Sequence, residues 1–376
     1  MKICHVTCVH PRYDIRIFEK ECVSLARRGY ETYLVVNDDK PNERLKGVHI
    51  LSTGFKPLNR KERFLKSAKA VLETALSVEA EIYQLHDPEL LRIADKFLKR
   101  GKKVIFDAHE DTEAQIRDKS WIPSMVRVPV AKLYGLYSHR KMKELDGIIT
   151  VTPSFVEKFK QYNVNTVMVT NYPIINIEET FEDVSGENKY IFFAGGLSTQ
   201  WCHEKIAEAV VKVDNNIEYY FAGLGVTDYI KKICLIGEGK AKYCGRLSHD
   251  EVMRYYSGSC AGMAILDCVQ VGIDGTLGNT KLFEVMQAGK PVICSDLRLW
   301  REIIERYKCG ICVNSKDIDS IADAVRYVIT HPDEAKQMGE NGKKAVTEKY
   351  NWTSQEKTLL EFYEKIIEKT NCNSVF

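Results

Sequence analysis

The segment Gly275–Gly289, GTLGNTKLFEVMQAG, holds the residue types that bind phosphate. Gly275 and Gly278 loosen a loop around Leu277, and Asn279 or Thr280 can cap the helix that follows. Lys281 falls in that helix's first turn. Free N–H groups at a helix start beside a lysine make a ready site for a diphosphate. Glu284 lies one turn later and points back toward the same end, where its carboxylate can accept hydrogen bonds from both hydroxyls of a ribose. A solvated helix with one lysine and one glutamate has the same pattern, so the segment needs support from elsewhere.

That support comes from other polar loops that follow short apolar runs. In the first half these are His10-Pro11-Arg12-Tyr13-Asp14 with Arg16, then His86-Asp87-Pro88-Glu89, then Asp107-Ala108-His109-Glu110-Asp111. In the second half they are Gly195-Gly196, Gly223-Leu224-Gly225 and Tyr243-Cys244-Gly245-Arg246. Glycine is the default turn residue, but several glycines on one edge let a ligand approach the backbone.

The elements that must hold these loops read as strands alternating with helices. Ile3–Val9, Thr32–Val36, Ile82–Leu85, Val104–Phe106 and Gly147–Val151 are strand-like, with helical patterns at 16–28, 61–76 and 89–99 between them. The rhythm breaks at Asn171-Tyr172-Pro173 and the acidic stretch 177–188. It resumes with Tyr190–Phe193, Glu218–Phe221, Ala241–Cys244, Ala261–Leu266, Pro291–Cys294 and Gly310–Val313, with helices near 203–212, 248–257, 280–288, 317–330 and 333–348. The fold class is therefore α/β: two doubly wound, Rossmann-like domains at 1–172 and 190–350, with strand ends expected to face a cleft. A last helical segment, 351–376, has no strand after it and is expected to pack back on the first domain. At 376 residues the chain is long enough for two cores.

The net charge of +2 hides an asymmetry: residues 1–172 carry +8 and the remainder −6. The first domain is thus expected to face something anionic. Basic residues cluster at 56–69 (Lys56, Arg60, Lys61, Arg63, Lys66, Lys69) and at 117–143, where they interleave with Trp121, Met125, Leu133 and Leu136. Such stretches suit an anionic membrane surface. No apolar run is long enough to span a membrane, and no module for nucleic acid is visible. The 12 scattered cysteines, with Met1-Lys2 leading straight into a strand, read as reduced thiols of a cytoplasmic protein, peripheral on the plasma membrane's inner face at most. The one CxxC, Cys309 to Cys312, lacks a second pair for zinc and reads as a strand and turn.

Three long stretches in order resemble the retaining glycosyltransferases of family 4, which have the GT-B fold. They are VTCVHPRYDIRIFEKECVSLARRGYETYLV near the start, IYQLHDPELL with KKVIFDAHED in the middle, and NTKLFEVMQAGKPVICSDLRLWREIIERYKCGICV toward the end. YNWT (349–352) looks like the family's entry into its last helix. The resemblance implies that Glu284 binds the donor ribose and that the loop from Leu277 through Gly278, Asn279 and Thr280 to Lys281 holds the diphosphate. It implies that Tyr243, Gly245 and Arg246 lie by the nucleotide base, with Gly195 and Gly196 also at the donor. His109 would stand beside the sugar's reacting face, Asp14 and Arg16 where the first loop meets acceptor or phosphate, and Glu302 would help order the site; the strand-end His86 is expected with Asp14 and Arg16 on the acceptor side.

The chain departs from the family's pattern at Thr276, where an acid is frequent, and at Gly195-Gly196-Leu197 through Trp201-Cys202, where both common diphosphate cations are missing. Lys281 and Arg246 are the substitutes, acting with His109 in catalysis. The expected activity is sugar transfer with retention, without metal or other cofactor, from a UDP- or GDP-linked donor to a glycan or lipid-linked acceptor in bacterial-type surface polysaccharide or glycolipid synthesis. The alternative is a non-catalytic GT-B protein that binds nucleotide sugar or a partner as regulator or scaffold; a sugar-nucleotide epimerase of this architecture fits the motifs less well.

Overall fold

The computed structural model describes residues 1–59, 62–118, 122–175, 189–213, 216–267 and 274–373. Arg60, Lys61, Lys119, Trp121, Cys268 and the acidic stretch 177–188 lie outside the described residues. The chain divides into two compact units, Met1–Asn171 with Trp352–Phe376, and Tyr172–Asn351.

The first unit is built on eight strands: β1 Lys2–Val6, β2 Glu31–Val36, β3 Glu43–Leu45, β4 Val48–Ser52, β5 Ile82–Leu85, β6 Lys103–Ala108, β7 Gly147–Thr150 and β8 Thr166–Met168. Their order is β3-β4-β2-β1-β5-β6-β7-β8, parallel except for β3 against β4. Runs such as IYQL and GIIT are buried along their whole length, as strands covered on both faces must be. One face is closed by Val71, Ala75, Leu90 and Phe97. The other is closed by the helix Trp352–Asn373, whose Trp352, Leu359, Phe362 and Tyr363 pack on Ile3, Ile82, Ile105 and Ile149. Trp352 Nε1 donates to Ser24 Oγ at 3.0 Å. Gly147 has no side chain because a Cβ there would sit 2.4 Å from the Phe362 ring.

The second unit has six strands: β9 Lys189–Ala194, β10 Ile217–Ala222, β11 Ala241–Tyr243, β12 Ala261–Ala264, β13 Val292–Ser295 and β14 Gly310–Val313. All are parallel, in the order β11-β10-β9-β12-β13-β14. The chain winds outward from β9 on one side, then returns to wind outward from β12 on the other, which leaves a crevice at the carboxyl ends of β9 and β12.

Several expectations need correction. β1 stops at Val6 rather than Val9, because Asp87 bends the chain by accepting from Thr7 Oγ1 at 2.8 Å and from Cys8 N at 2.6 Å. β3, β4 and β8 were not anticipated; β3 has no buried residue, and its antiparallel pairing with β4 breaks the purely parallel reading. The CxxC, by contrast, is the strand and turn expected of it: Cys312 lies on β14 opposite Cys294 of β13, with the sulfurs 3.9 Å apart, and Cys309 is buried just before β14.

Candidate functional site

β9 (KYIFFA) and β10 (IEYYFA) are apolar and largely buried, and each runs directly into glycine. Gly195 has φ +147° and Gly223 φ +134°, values that side chains rarely allow. A Cβ on Gly223 would fall 1.8 Å from the Gly195 carbonyl oxygen, and one on Gly195 would fall 2.2 Å from Lys281 Cε. The two loops therefore pack backbone to backbone with the lysine stem laid against them. Gly195 N donates to Ala222 O at 3.0 Å and Gly223 N to Gly245 O at 2.8 Å, extending the sheet's hydrogen bonding past the strands.

Above these loops lies a cavity of about 370 Å³. Its walls come from four strand ends: Gly195 and Gly196 after β9, Gly223 and Leu224 after β10, Arg246 to His249 after β11, and Thr280, Lys281 and Glu284 from the connection between β12 and β13. The helix Lys281–Gln287 buries Leu282, Phe283, Val285 and Met286, which turns Lys281 and Glu284 toward the cavity. Thr280 makes no side-chain cap; Asn279 Oδ1 instead accepts the Lys281 N–H at 3.0 Å. Trp300 Nε1 donates to Thr276 O at 2.6 Å and steadies the loop before the helix.

The charges in this cavity are unspent. Lys281 Nζ lies 4.5 Å from the centre of the Trp201 ring and 5.6 Å from that of Phe193, with no hydrogen bond or ion pair among the described residues. Burial pulls its pKa down, Glu284 pulls it up, and the net is below an ordinary lysine. Arg246 is exposed and likewise unpaired among the described residues, as is the Glu284 carboxylate. The stretch through Trp201 carries no cation of its own, yet Lys281 brings one over that ring. Beneath the site, His203 is buried with Nδ1 2.7 Å from Tyr219 OH and Nε2 without a partner among the described residues. Burial, then the Lys281 charge, push its pKa down to about 3.

Gly195, Gly196, Arg246, Thr280, Lys281 and Glu284 thus share one cavity. Leu277, Gly278, Asn279, Tyr243 and Gly245 are not among the residues that line it. Leu277 is buried. Tyr243 OH donates to Gly223 O at 2.8 Å and props the glycine loop, as the Gly245 carbonyl does. Glu302 accepts from Arg298 at 3.0 Å on the surface. Sequence reasoning missed Leu247, His249 and Val252. Their signal was Ser248 with Glu251, a reciprocal cap that starts the helix His249–Gly258 at the cavity's edge.

The first unit gathers its polar strand ends into a buried network. Arg16 Nε and Nη2 donate to both Asp107 oxygens at 2.9 and 2.8 Å, and Nη1 donates to Val169 O at 2.9 Å. Burial alone would raise the Asp107 pKa, but Arg16, His109 and His86 hold it well below the carboxylate range. His86 is fully buried between Asp107 (3.1 Å) and His5 (2.9 Å). Burial keeps both histidines below their ordinary pKa. Asp14 caps the π-type turns Ile15–Cys22, accepting from the Arg16 and Ile17 N–H groups at 2.9 Å each. Arg16 and His86 are therefore consumed inside the unit. His109 is partly exposed, 3.6 Å from Asp107 and in edge contact with His10. His5, Glu21 and His86 bring three possible metal ligands within 4.8 Å, but Arg16 lies 3.2 Å from Glu21 and the two histidines already bond each other.

Two Rossmann-like units, the second with a polar cavity at its crevice, define the GT-B architecture of glycosyltransferases. Sucrose-phosphate synthase from Thermosynechococcus elongatus superposes with TM-score 0.77 over 98% of this chain and 99% of its own, at 14% identity. Anabaena HepE, solved with UDP and glucose, gives 0.72 over 97% and 100%, at 13% identity. In sequence, residues 176–345 match the family model of the group 1 glycosyl transferases. A glycosyltransferase of Methanocaldococcus jannaschii is 30% identical over 190 residues, 49% of this chain; the match spans 47% of that relative's length.

Proposed function

We propose that the protein is a glycosyltransferase that takes its sugar from a nucleoside-diphosphate donor held in the second unit's cavity. One observation carries this reading: an ammonium, a guanidinium and a carboxylate, none of them paired among the described residues, converge with a glycine-formed wall on one concave site at the sheet's switch point. The diphosphate lies along Gly195–Gly196 against Lys281 and Arg246, and Glu284 accepts the ribose hydroxyls. The match to the group 1 family over this unit and the UDP complex of HepE support that placement.

As the bond to the sugar breaks, charge grows on the leaving diphosphate. Lys281 and Arg246 stabilise it without a metal. The transfer retains configuration, as the resemblance to family 4 implies: the acceptor attacks from the face that the leaving group departs, and a leaving phosphate oxygen takes the acceptor's proton. UDP- or GDP-linked sugars are the donors. The acceptor is a growing glycan or a lipid-linked sugar of a cell-surface polymer or glycolipid.

A panel of nucleotides and nucleotide sugars tests this by thermal shift, followed by product analysis with the ligands that bind. At least one nucleotide diphosphate raises the melting temperature. Glu284→Ala raises the donor KM at least about tenfold, through the loss of its charge-assisted hydrogen bonds from the ribose hydroxyls, with kcat less affected. Binding without transfer or hydrolysis would instead mark a regulator or scaffold. No stabilising nucleotide, or a Glu284→Ala enzyme with wild-type donor KM, defeats the assignment.

A further inference from the structure

We infer that the outward face of the helix Ser124–Glu144 docks on an anionic lipid surface. This helix is arranged against the usual rule. Its buried side is made of small residues, Ala131, Gly135 and Ser138, with Met142 at the end. Its large apolar residues point to solvent instead: Met125 is 89% exposed, Leu133 70% and Leu136 72%. Val126, Val128, Val130 and Tyr137 are exposed as well. A helix that only covered a core would turn these side chains inward and leave polar ones outside.

The charge on the same face identifies the occupant. From Ser124 to Lys143 the helix carries five basic residues and no acid. At 3.6 residues per turn, Met125, Lys132, Leu133, Leu136, Arg140 and Lys143 fall within roughly 100° of arc. Lys132, Arg140 and Lys143 are exposed and make no ion pair among the described residues. Apolar side chains with free cations among them suit a bilayer that offers hydrocarbon beneath anionic headgroups. A protein partner would need acids and an apolar pocket in register with this face, whereas a lipid surface needs no register.

The other basic stretch does not share this property. Each of its described cations faces a carboxylate within 4 Å: Lys56 with Asp39, Arg63 with Glu89, Lys66 with Glu62 and Lys69 with Glu73. It is an ordinary solvated surface, and the docking face narrows to the one helix.

The test is cosedimentation of the full chain with vesicles of phosphatidylcholine alone or with roughly a third phosphatidylglycerol. The protein pellets with the anionic vesicles and stays in solution with the neutral ones, and added salt weakens binding. Leu133→Asn with Leu136→Asn, and separately Lys132→Glu with Arg140→Glu, each weaken binding at least about tenfold. All four side chains are exposed, so circular dichroism and melting temperature stay those of the wild type. Nucleotide binding is also unchanged, which separates this inference from the proposed function. Equal partition onto neutral and anionic vesicles, or wild-type partition by both variants, overturns it. So does a dimer in light scattering that dissociates in the Leu133/Leu136 variant while no vesicle binding is seen, because the face would then be an interface between copies.

Discussion

Replacing Lys281 by methionine should move ligand-free stability and donor use in opposite directions. The ammonium is buried with no ion pair among the described residues, and its lowered pKa means that desolvation outweighs the pull of Glu284. The aromatic rings return only part of that cost, about 0.5–2 kcal/mol for a cation over tryptophan. Methionine keeps the stem against Gly195, places a thioether over Trp201 and removes the charge. The ligand-free protein is therefore expected to melt higher than the wild type. With donor bound the balance inverts. A unit charge about 4 Å from a phosphate oxygen is worth about 4 kcal/mol at an effective dielectric near 20. Removing one such group from a developing anion costs roughly 10²–10³ in rate. Calorimetry with and without nucleotide, together with kcat/KM for the donor, reads both arms. A variant that melts lower when empty, yet binds and turns over donor like the wild type, would falsify the placement of the diphosphate.

Two further outcomes follow from the same unit. Gly223→Ala drives a Cβ to 1.8 Å from the Gly195 carbonyl at a φ of +134°, with only backbone to yield; urea denaturation should show a loss of about 2–4 kcal/mol, together with loss of nucleotide stabilisation. His203 has a folded pKa of about 3 against an ordinary 6.5. Its contribution is therefore full above about pH 6.5 and is lost as pH falls toward 3, amounting to about 5 kcal/mol over that range. His203→Gln, which can still bond Tyr219, should flatten the fall of stability between about pH 6 and 4; parallel curves for the two proteins would refute the buried neutral histidine.

The fold was largely legible because short apolar runs and helical periods alternate steadily within each half of the chain. Every strand of the second sheet has its run in the sequence, such as YIFF in β9 and VICS in β13. Of the strands that escaped notice, β3 and β8 are three residues long and form the two edges of the first sheet, and β4, next to β3, is only partly buried, so neither run length nor full burial marks them. The site divides along the same physical line. Lys281, Glu284 and the glycines were legible because a cavity at strand ends needs small residues and charges there. Arg16 and His86 looked like ligand contacts for the same reason, but no local pattern shows that Asp107, from another strand, takes up both. Tyr243 and Gly245 were placed in the right loop and turned out to brace it from behind. Whether a strand-end polar residue faces a ligand or a neighbour depends on pairing across the sheet, which one-dimensional spacing does not contain.

The helix Trp352–Asn373 sets the timing of assembly in a nascent chain. It supplies the last wall of a sheet whose strands are all complete before Asn171. At about 5–20 residues per second, synthesis of the intervening roughly 200 residues leaves Ile3, Ile82, Ile105 and Ile149 unroofed for about 10–40 s. The uninterrupted second unit can close in that interval, so the half that emerges first from the ribosome is the one that finishes last, and it must be kept from aggregating meanwhile.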